Sequence, residues 1–472
     1  MRSLRNLFSD LSQRSWFYRL WTLQEAVLAR EALVICGDWS ISWDVLILAI
    51  GCLRPLESAS GRFDFISTFD YVLGGRQVIV NALSSRPRIG VLGPPSPNMD
   101  PPVSTVFTRG LFYQAWLRKD HVFALYALLQ KLGAQLPNPN YGRPVDQIFA
   151  EAARLAVESD NKLYILSFVN GIEERENWPS WVPTWRENLV SSTLDERWFK
   201  AAAGSLPQYT FSSSSPDDDD GRRLTVKAKK VDIVYLKAER SPLLGYPMRG
   251  ATRALFIESQ INAVKAYHEW MIVMHTWRML GRLAPARYGD ADEQTLAFVR
   301  VLLQDFTAVP DSKPRWGEII MGFQRWQQLL SATNPGSSMP MAAIEAMLGP
   351  DDTASAGLPE NKRYLVQTPE WKIHSVIDKD PEASLFNHHA TLGCKCKVFF
   401  VTLSGYFGVA PASIRQGDAI VLVSGFQTPL VARPVDGSGN AHKLLGPAYV
   451  LGLMEGELWP QAERDLSDLT FV

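Results

Sequence analysis

Gln24 and Glu25 are the first residues whose chemistry needs explaining. Residues 16–28 carry apolar side chains at helical spacing: Trp16, Phe17, Leu20, Trp21, Leu23, Val27 and Leu28. On a wheel turning about 100° per residue, Gln24 falls mid-stripe and Glu25 falls at the edge beside Trp21 and Leu28. A buried amide among tryptophans costs free energy unless hydrogen-bonded. The pair reads as a satisfied packing network or as a site, and Gln24 is expected to be buried and bonded. His388, His389, Cys394 and Cys396 are of the types that ligate zinc. Their spacing fits no standard finger, and the two cysteines alternate along an expected strand, so no metal is assigned. Asp217–Asp220 lies in a serine-rich run and reads as a solvated loop. Asp120 beside His121 looks like an acid–base pair. Adjacent helix positions point about 100° apart, so an N-cap Asp and a packing His are expected instead. No G-x-S-x-G, P-loop or G-x-G-x-x-G occurs.

These residues need elements to hold them. Leu33–Cys36 reads as a short buried strand stopping at Gly37, and Ser42 as an N-cap flanked by an Ile41–Leu46 staple. Residues 63–80 fit a helix or a strand pair, and Ser84–Val103 is a Pro- and Gly-rich loop. A helix starts near Asp120 and runs to Leu132, and another follows Pro144. Prolines exclude a helix over Trp178–Trp185, whose tryptophans are expected to clamp the preceding helices. Leu224–Tyr235 alternates as a strand with a kink at Lys229–Lys230. Residues 252–282, 293–308 and 316–331 read as helices, and Gly336–Asn361 as mixed. From Lys397 the pattern turns to strands: VFFVTL, DAIVLV, LVARPV and AYVLGLM.

Composition sets bounds. The 472 residues allow two or three domains, and 46% hydrophobic with 21% charged residues is ordinary for a globular chain. A net charge of −1 gives no bulk attraction to nucleic acid or to an anionic membrane. Four cysteines without framework spacing suit a reducing compartment. The first residues lack a signal-peptide core, and the apolar run Val45–Leu53 is shorter than the about 20 residues a membrane span needs. A cytoplasmic protein without a membrane span or cofactor is expected. Fifteen tryptophans point to aromatic packing in a loop-rich fold.

The stretch Trp16, Phe17, Arg19, Trp21, Gln24, Glu25, Leu28, Ala29, then Cys36, Gly37 and Trp43, resembles the heterokaryon-incompatibility (HET) domain of filamentous fungi. Arg118–Leu125, including Asp120, is similar to that family's D-x-R-D-K-V-Y-A-L run, with Lys119 and His121 as departures. Trp178–Trp185, with Trp181, Pro183 and Trp185, is similar to its L-P-S-W-V-P-D-W run. Gly417, Asp418, Pro429, Arg433, Pro434, Gly446, Tyr449, Gly452, Gly456 and Glu457 match its C-terminal motif. The family's opening A-L-S-Y-x-W-G segment is not found before Trp16, so an N-terminally shortened member is expected.

The resemblance implies a fold and a role. The family's domain is likened to the Toll/interleukin-receptor (TIR) fold, a parallel sheet flanked by helices. The expected class is therefore α+β: an incomplete TIR-like α/β unit over 1–190, a linker over 191–223, a strand and helical segment over 224–395, and antiparallel strands over 396–472 pairing with 224–235. The implied role is fungal non-self recognition and programmed cell death through protein–protein contacts. Two alternatives stay open: a TIR-like NAD-cleaving enzyme, in which Glu25 would stabilise an oxocarbenium-like centre, and a shortened paralogue without death-inducing activity. The non-enzymatic reading is favoured, because a cofactor site at a parallel sheet is built at strand ends.

Overall fold

The computed structural model describes residues 14–49, 103–111, 113–171, 178–185, 199–212, 222–241, 269–270, 272–284, 287–305, 316–333, 376–377, 379–435, 437 and 439–472. The readings for 63–80, Ser84–Pro102, Asp217–Asp220, 252–268 and Gly336–Asn361 lie outside the described residues. The architecture is α+β.

The N-terminal unit differs from its sequence reading. Ser15–Tyr18 forms one 3-10 turn, Arg19 is extended at ψ 131°, and helix α1 spans only Trp21–Leu28. The break is tertiary: Leu20 N donates to Gln114 O at 2.8 Å and Gln114 N to Tyr18 O at 2.5 Å. Leu33–Cys36 (β1) is not a buried strand. It pairs antiparallel with Trp39–Ser42 (β2) through a two-residue turn in which Gly37 takes φ +61°, and its outer face is exposed. A parallel sheet is not seen among the described residues before 200, where the strand pairings are this hairpin and one parallel bridge between Arg19 and Gln114. Helix α2 over 43–49 starts as expected: Val45 N donates to Ser42 Oγ at 3.3 Å.

Helices α3 (Val103–Gly110), α4 (Asp120–Phe123), α5 (Tyr126–Lys131) and α6 (Val145–Asp160) complete this core. The single helix expected from Asp120 to Leu132 is broken at Ala124–Leu125. Residues 191–223, read as a linker, contribute the buried Ala201 and Ala202 and strand β3 (Tyr209–Phe211).

The second half is built on β4 (Leu224–Arg240), one strand of 17 residues. Its partners are β3, β5 (Lys397–Thr402), β7 (Ala419–Val423) and β11 (Ser467–Phe471). The register against β7 shifts between Lys230 and Asp232, beside the kink read at Lys229–Lys230. Adding β8 (Leu430–Pro434) and β9 (Ala441–Pro447) closes a ring of pairings, β4–β7–β8–β9–β11–β4, in which each of the five strands has a partner on both sides. The ring is not wholly antiparallel: β9 and β11 run parallel, because the chain reaches β11 through residues 448–466 instead of a hairpin. The C-terminal half of β4 leads into β5, β6 (Phe407–Pro411) and β10 (Tyr449–Val450).

The sheet's faces sort into separate cores. Leu224, Val226, Val421, Val423 and Phe471 pack with the N-terminal helices, and Val398, Phe400, Ile420 and Val431 form a core of their own. Phe399, Val401, Phe407 and Val409 receive the helical segment. That segment comprises α7 (272–282), α8 (Ala291–Leu303), α9 (Trp316–Thr333) and α10 (Pro381–Cys394). Asp290 and Glu293 form a reciprocal capping box on α8. Asp380 caps α10 by accepting from Ala383 N at 3.0 Å. Helix α10 overturns the strand reading of Cys394 and Cys396: Cys394 ends the helix and Cys396 lies in the following turn at φ +57°. No helix among the described residues is long and apolar enough to cross a membrane.

Candidate interaction site

Most of the motif residues fall into three clusters, of which the first two share one buried core and the last two are joined by hydrogen bonds. In the first, Trp16, Phe17 and Trp43 form an aromatic triad, with ring centroids 5.3, 6.2 and 6.3 Å apart. Thr22 Oγ1 lies 2.7 Å from Trp16 O and 2.6 Å from Arg19 O, locking the turn before α1. Trp21 is half-buried. Gln24 is half-buried too, contrary to the expectation of a buried, bonded amide: breaking the helix at Arg19 rotates the stripe so that Leu20, Leu23 and Val27 face inward. Glu25 is exposed, and among the described residues its carboxylate has no hydrogen bond or ion pair. That surface is apolar. Leu33, Ile35 and Trp39 of the hairpin and Val45 and Leu48 of α2 are all more than half exposed, and so, elsewhere in the chain, is Trp116, at 97%. Exposed apolar side chains on a hairpin and the helix after it make this face a candidate interaction site.

The second cluster centres on Trp178–Trp185. Trp181 and Trp185 are fully buried, and Trp185 adopts φ +44°. Phe149 of α6 packs edge-on against Trp178 at 5.5 Å and Trp185 at 4.8 Å, and Phe107 of α3 meets Trp185 at 5.8 Å. The tryptophans thus clamp α3 and α6. The Arg118 guanidinium stands 5.4 Å from the Trp178 ring and donates to Thr184 O at 3.2 Å. Asp120 is not an N-cap. It is the first residue of α4, buried, and accepts from the Tyr141 hydroxyl at 2.7 Å.

His121 is buried beside it. Burial pushes its imidazolium acidity to about 4, against an ordinary value near 6.5; Asp120 opposes the shift and Arg118 adds to it. The folded state therefore holds neutral His121 while the unfolded chain takes up a proton first as pH falls. Stability is complete above about 6.5 and is lost as pH drops toward about 4. Replacing His121 with Gln should flatten the acid limb of a denaturant-midpoint-versus-pH curve in that window. An unchanged limb would show that other groups, His389 among them, carry it; burial also lowers His389 to about 4.

The third cluster lies in the barrel and joins the second. Asp418 is buried, and its carboxylate accepts two bonds from Arg433, at 2.8 and 3.0 Å. Arg415 N donates to Asp418 Oδ2 at 2.6 Å, and Arg433 Nη2 also donates to Ser413 O at 2.8 Å. Gly417, at φ +91°, donates to Val234 O and so ties the Gly-Asp turn to β4. Pro434 ends β8 directly after Arg433. Gly446 takes φ +127°, and a Cβ there would sit 2.4 Å from Val169 O of the N-terminal unit. Ser180 N donates to Val472 O and Ser180 Oγ accepts from Leu444 N, both at 2.9 Å, and Trp181 Nε1 donates to Arg222 O at 2.8 Å. Pro183 keeps this segment out of a helix. Two motifs far apart in sequence therefore meet at one seam.

The remaining motif residues sit at the barrel's other contact. Tyr449 is buried and its hydroxyl donates to Asp305, which also pairs with Arg300 at 2.7 Å. Burial drives the Tyr449 phenol well above its usual range. Gly452 and Gly456 take φ +92° and +86° in the turns that follow, and Glu457 accepts from Glu455 N at 2.8 Å. Asp305, Arg300 and Tyr288 were not singled out in the sequence. Tyr288 accepts from Phe407 N at 3.0 Å and donates to Leu451 O at 2.9 Å, bridging helical segment and barrel. His388, His389, Cys394 and Cys396 do not converge: no group of three or more metal-ligating side chains is found among the described residues.

Residues 361–469 match the family model of the Het-6 beta-barrel domain. The chain is 21% identical over 523 residues to "Heterokaryon incompatibility protein 6, OR allele" of Neurospora crassa, covering 98% of this chain and 68% of that protein. No solved structure gives a significant match. The barrel match and this relative, together with the motifs that meet at the seam, support the assignment of the chain to the heterokaryon-incompatibility family.

Proposed function

We propose that this chain acts in fungal non-self recognition in the cytoplasm, and that its N-terminal unit contacts a protein partner to trigger programmed cell death. The observation that carries the proposal is the apolar surface of the hairpin, where Trp39 is 83% exposed, together with Trp116, 97% exposed on the segment after α3. Tryptophan is enriched among the few central interface residues that carry most of the binding energy. The finer reading, a TIR-like α/β arrangement over 1–190 joined to the barrel unit over 396–472, belongs to the same proposal. It needs no catalysis at Glu25. That carboxylate stands in water on a two-turn helix, whereas expelling nicotinamide needs a pocket that positions the ribose and excludes water.

The test is induced co-expression with a genetically incompatible partner protein in a fungal host, read as viable counts. Viability should fall with the native chain and recover with Trp39→Ser combined with Trp116→Ser, which remove exposed side chains only. An NAD-loss assay on purified native chain and on Glu25→Ala runs beside it and should show no difference. Cell death that ignores the tryptophans, or NAD loss that vanishes in Glu25→Ala, would replace contact by catalysis as the mechanism.

A further inference from the structure

The joint at which the helical segment returns to the barrel holds two thiols and a buried amine. Cys394 closes α10, Lys395 follows at φ −58°, ψ 128°, and Cys396 takes φ +57° before Lys397 opens β5. The Lys395 angles and the positive φ of Cys396 are those that open a type II turn, with cysteine at the position glycine normally fills. Such a turn brings its first and third Cα atoms to roughly 6 Å, within the range of about 4.4–6.8 Å that a disulfide spans. Cys394 is wholly buried and its Sγ donates to Leu302 O at 3.4 Å, while Cys396 is half-buried. Lys397 is 2% exposed, its Nζ has no hydrogen-bond partner, and its charge acts on both sulfurs. Burial pushes the Cys394 thiol well up, and the Lys397 charge beside it opposes that shift, toward the thiolate, the reactive form of cysteine.

We propose that Cys394 and Cys396 form a dithiol site at the helix-to-barrel joint that hydrogen peroxide oxidises reversibly to a disulfide. The accessible Cys396 reacts first. Its thiolate attacks one peroxide oxygen, the O–O bond breaks, and protonation of the departing oxygen gives water and a Cys396 sulfenic acid. Cys394 Sγ then attacks Cys396 Sγ; the S–S bond forms, the S–O bond breaks, and the Cys394 proton leaves with the hydroxide as a second water. Two thiols lose two electrons and two protons, and one peroxide becomes two waters. Lys397 positions charge for both steps. Burial lowers its ammonium to about 8, so its charge itself fades in mildly alkaline solution. The disulfide removes the thiol hydrogen held by Leu302 O, which loosens α10 from α8.

Lys395 makes the test direct, because trypsin cuts between the two cysteines. The chain carrying Cys36→Ser and Cys52→Ser is treated with one equivalent of hydrogen peroxide, alkylated, unfolded and digested. The peptide ending at Lys395 and the Cys396–Lys397 dipeptide should stay joined through sulfur and separate on reduction. Lys397→Met should slow joining about tenfold at neutral pH, as expected when a thiolate-favouring cation is lost. Hydrogen exchange over α10 should quicken in the oxidised protein. In Cys396→Gly, which suits the turn, no joining occurs and exchange over α10 should not respond to peroxide. Recovery of Cys396 as sulfinic acid with Cys394 untouched, or an oxygen-bridged link from sulfur to Lys397, would overturn the proposal.

Discussion

Arg433→Met is expected to destabilise the barrel by about 3–5 kcal/mol, the usual cost of removing one partner from a buried ion pair. The geometry makes the site an extreme case. The Asp418 side chain is 3% exposed and receives three hydrogen bonds, two of them from Arg433. Without the guanidinium, a buried carboxylate keeps one backbone donor, and Ser413 O loses its donor too. The loss should be read in a denaturant titration that follows the barrel. Asp418→Asn should cost less than Arg433→Met, because it removes the charge that needs solvation. The double variant should recover part of the loss, since no unpaired charge is left behind. Additive losses in that cycle would mean that the two side chains stabilise the fold separately and that their pairing is incidental.

This pair also shows what the sequence conceals. Asp418, just before β7, and Arg433, on β8, lie 15 residues apart, and no periodic pattern joins them. The β7–β8 hairpin does, pairing Ala419 with Ala432. By contrast β5, β6 and β7 are buried along their whole length, so two of the three stood out as apolar runs: VFFVTL and DAIVLV. β11 and β3 are short and half exposed, and their residues, SDLTF and YTF, give too few buried positions for alternation to show. Helix α10 did leave a signal: Asp380 followed by Pro381 is an N-cap with proline in the first turn. The helix over 16–28 failed for the opposite reason. Its stripe is genuine, but backbone pairing of Tyr18 and Leu20 with Gln114 breaks it, and a contact across nearly a hundred residues is invisible to local periodicity.

The second large effect is expected at the seam. Trp181→Ala should cost about 3–5 kcal/mol, the range for a buried aromatic cut to alanine. The indole is wholly buried, its N–H satisfies Arg222 O at 2.8 Å, and its ring lies 5.4 Å from Phe211 of β3. Truncation therefore opens a cavity and strands a carbonyl at once. Trp181→Phe keeps most of the volume and loses only the donor, so it should cost about 1 kcal/mol. The more telling readout is where the loss appears. Ser180 bonds both Leu444 of β9 and the terminal Val472, so the segment bearing Trp181 fastens the N-terminal unit to the barrel. Hydrogen exchange in Trp181→Ala should quicken in α6 and β3 while β5 and β6, which pack on the other two cores, keep their protection. Equal loss across all of them would mean that the two halves unfold as one cooperative body and that the seam transmits stability without dividing it.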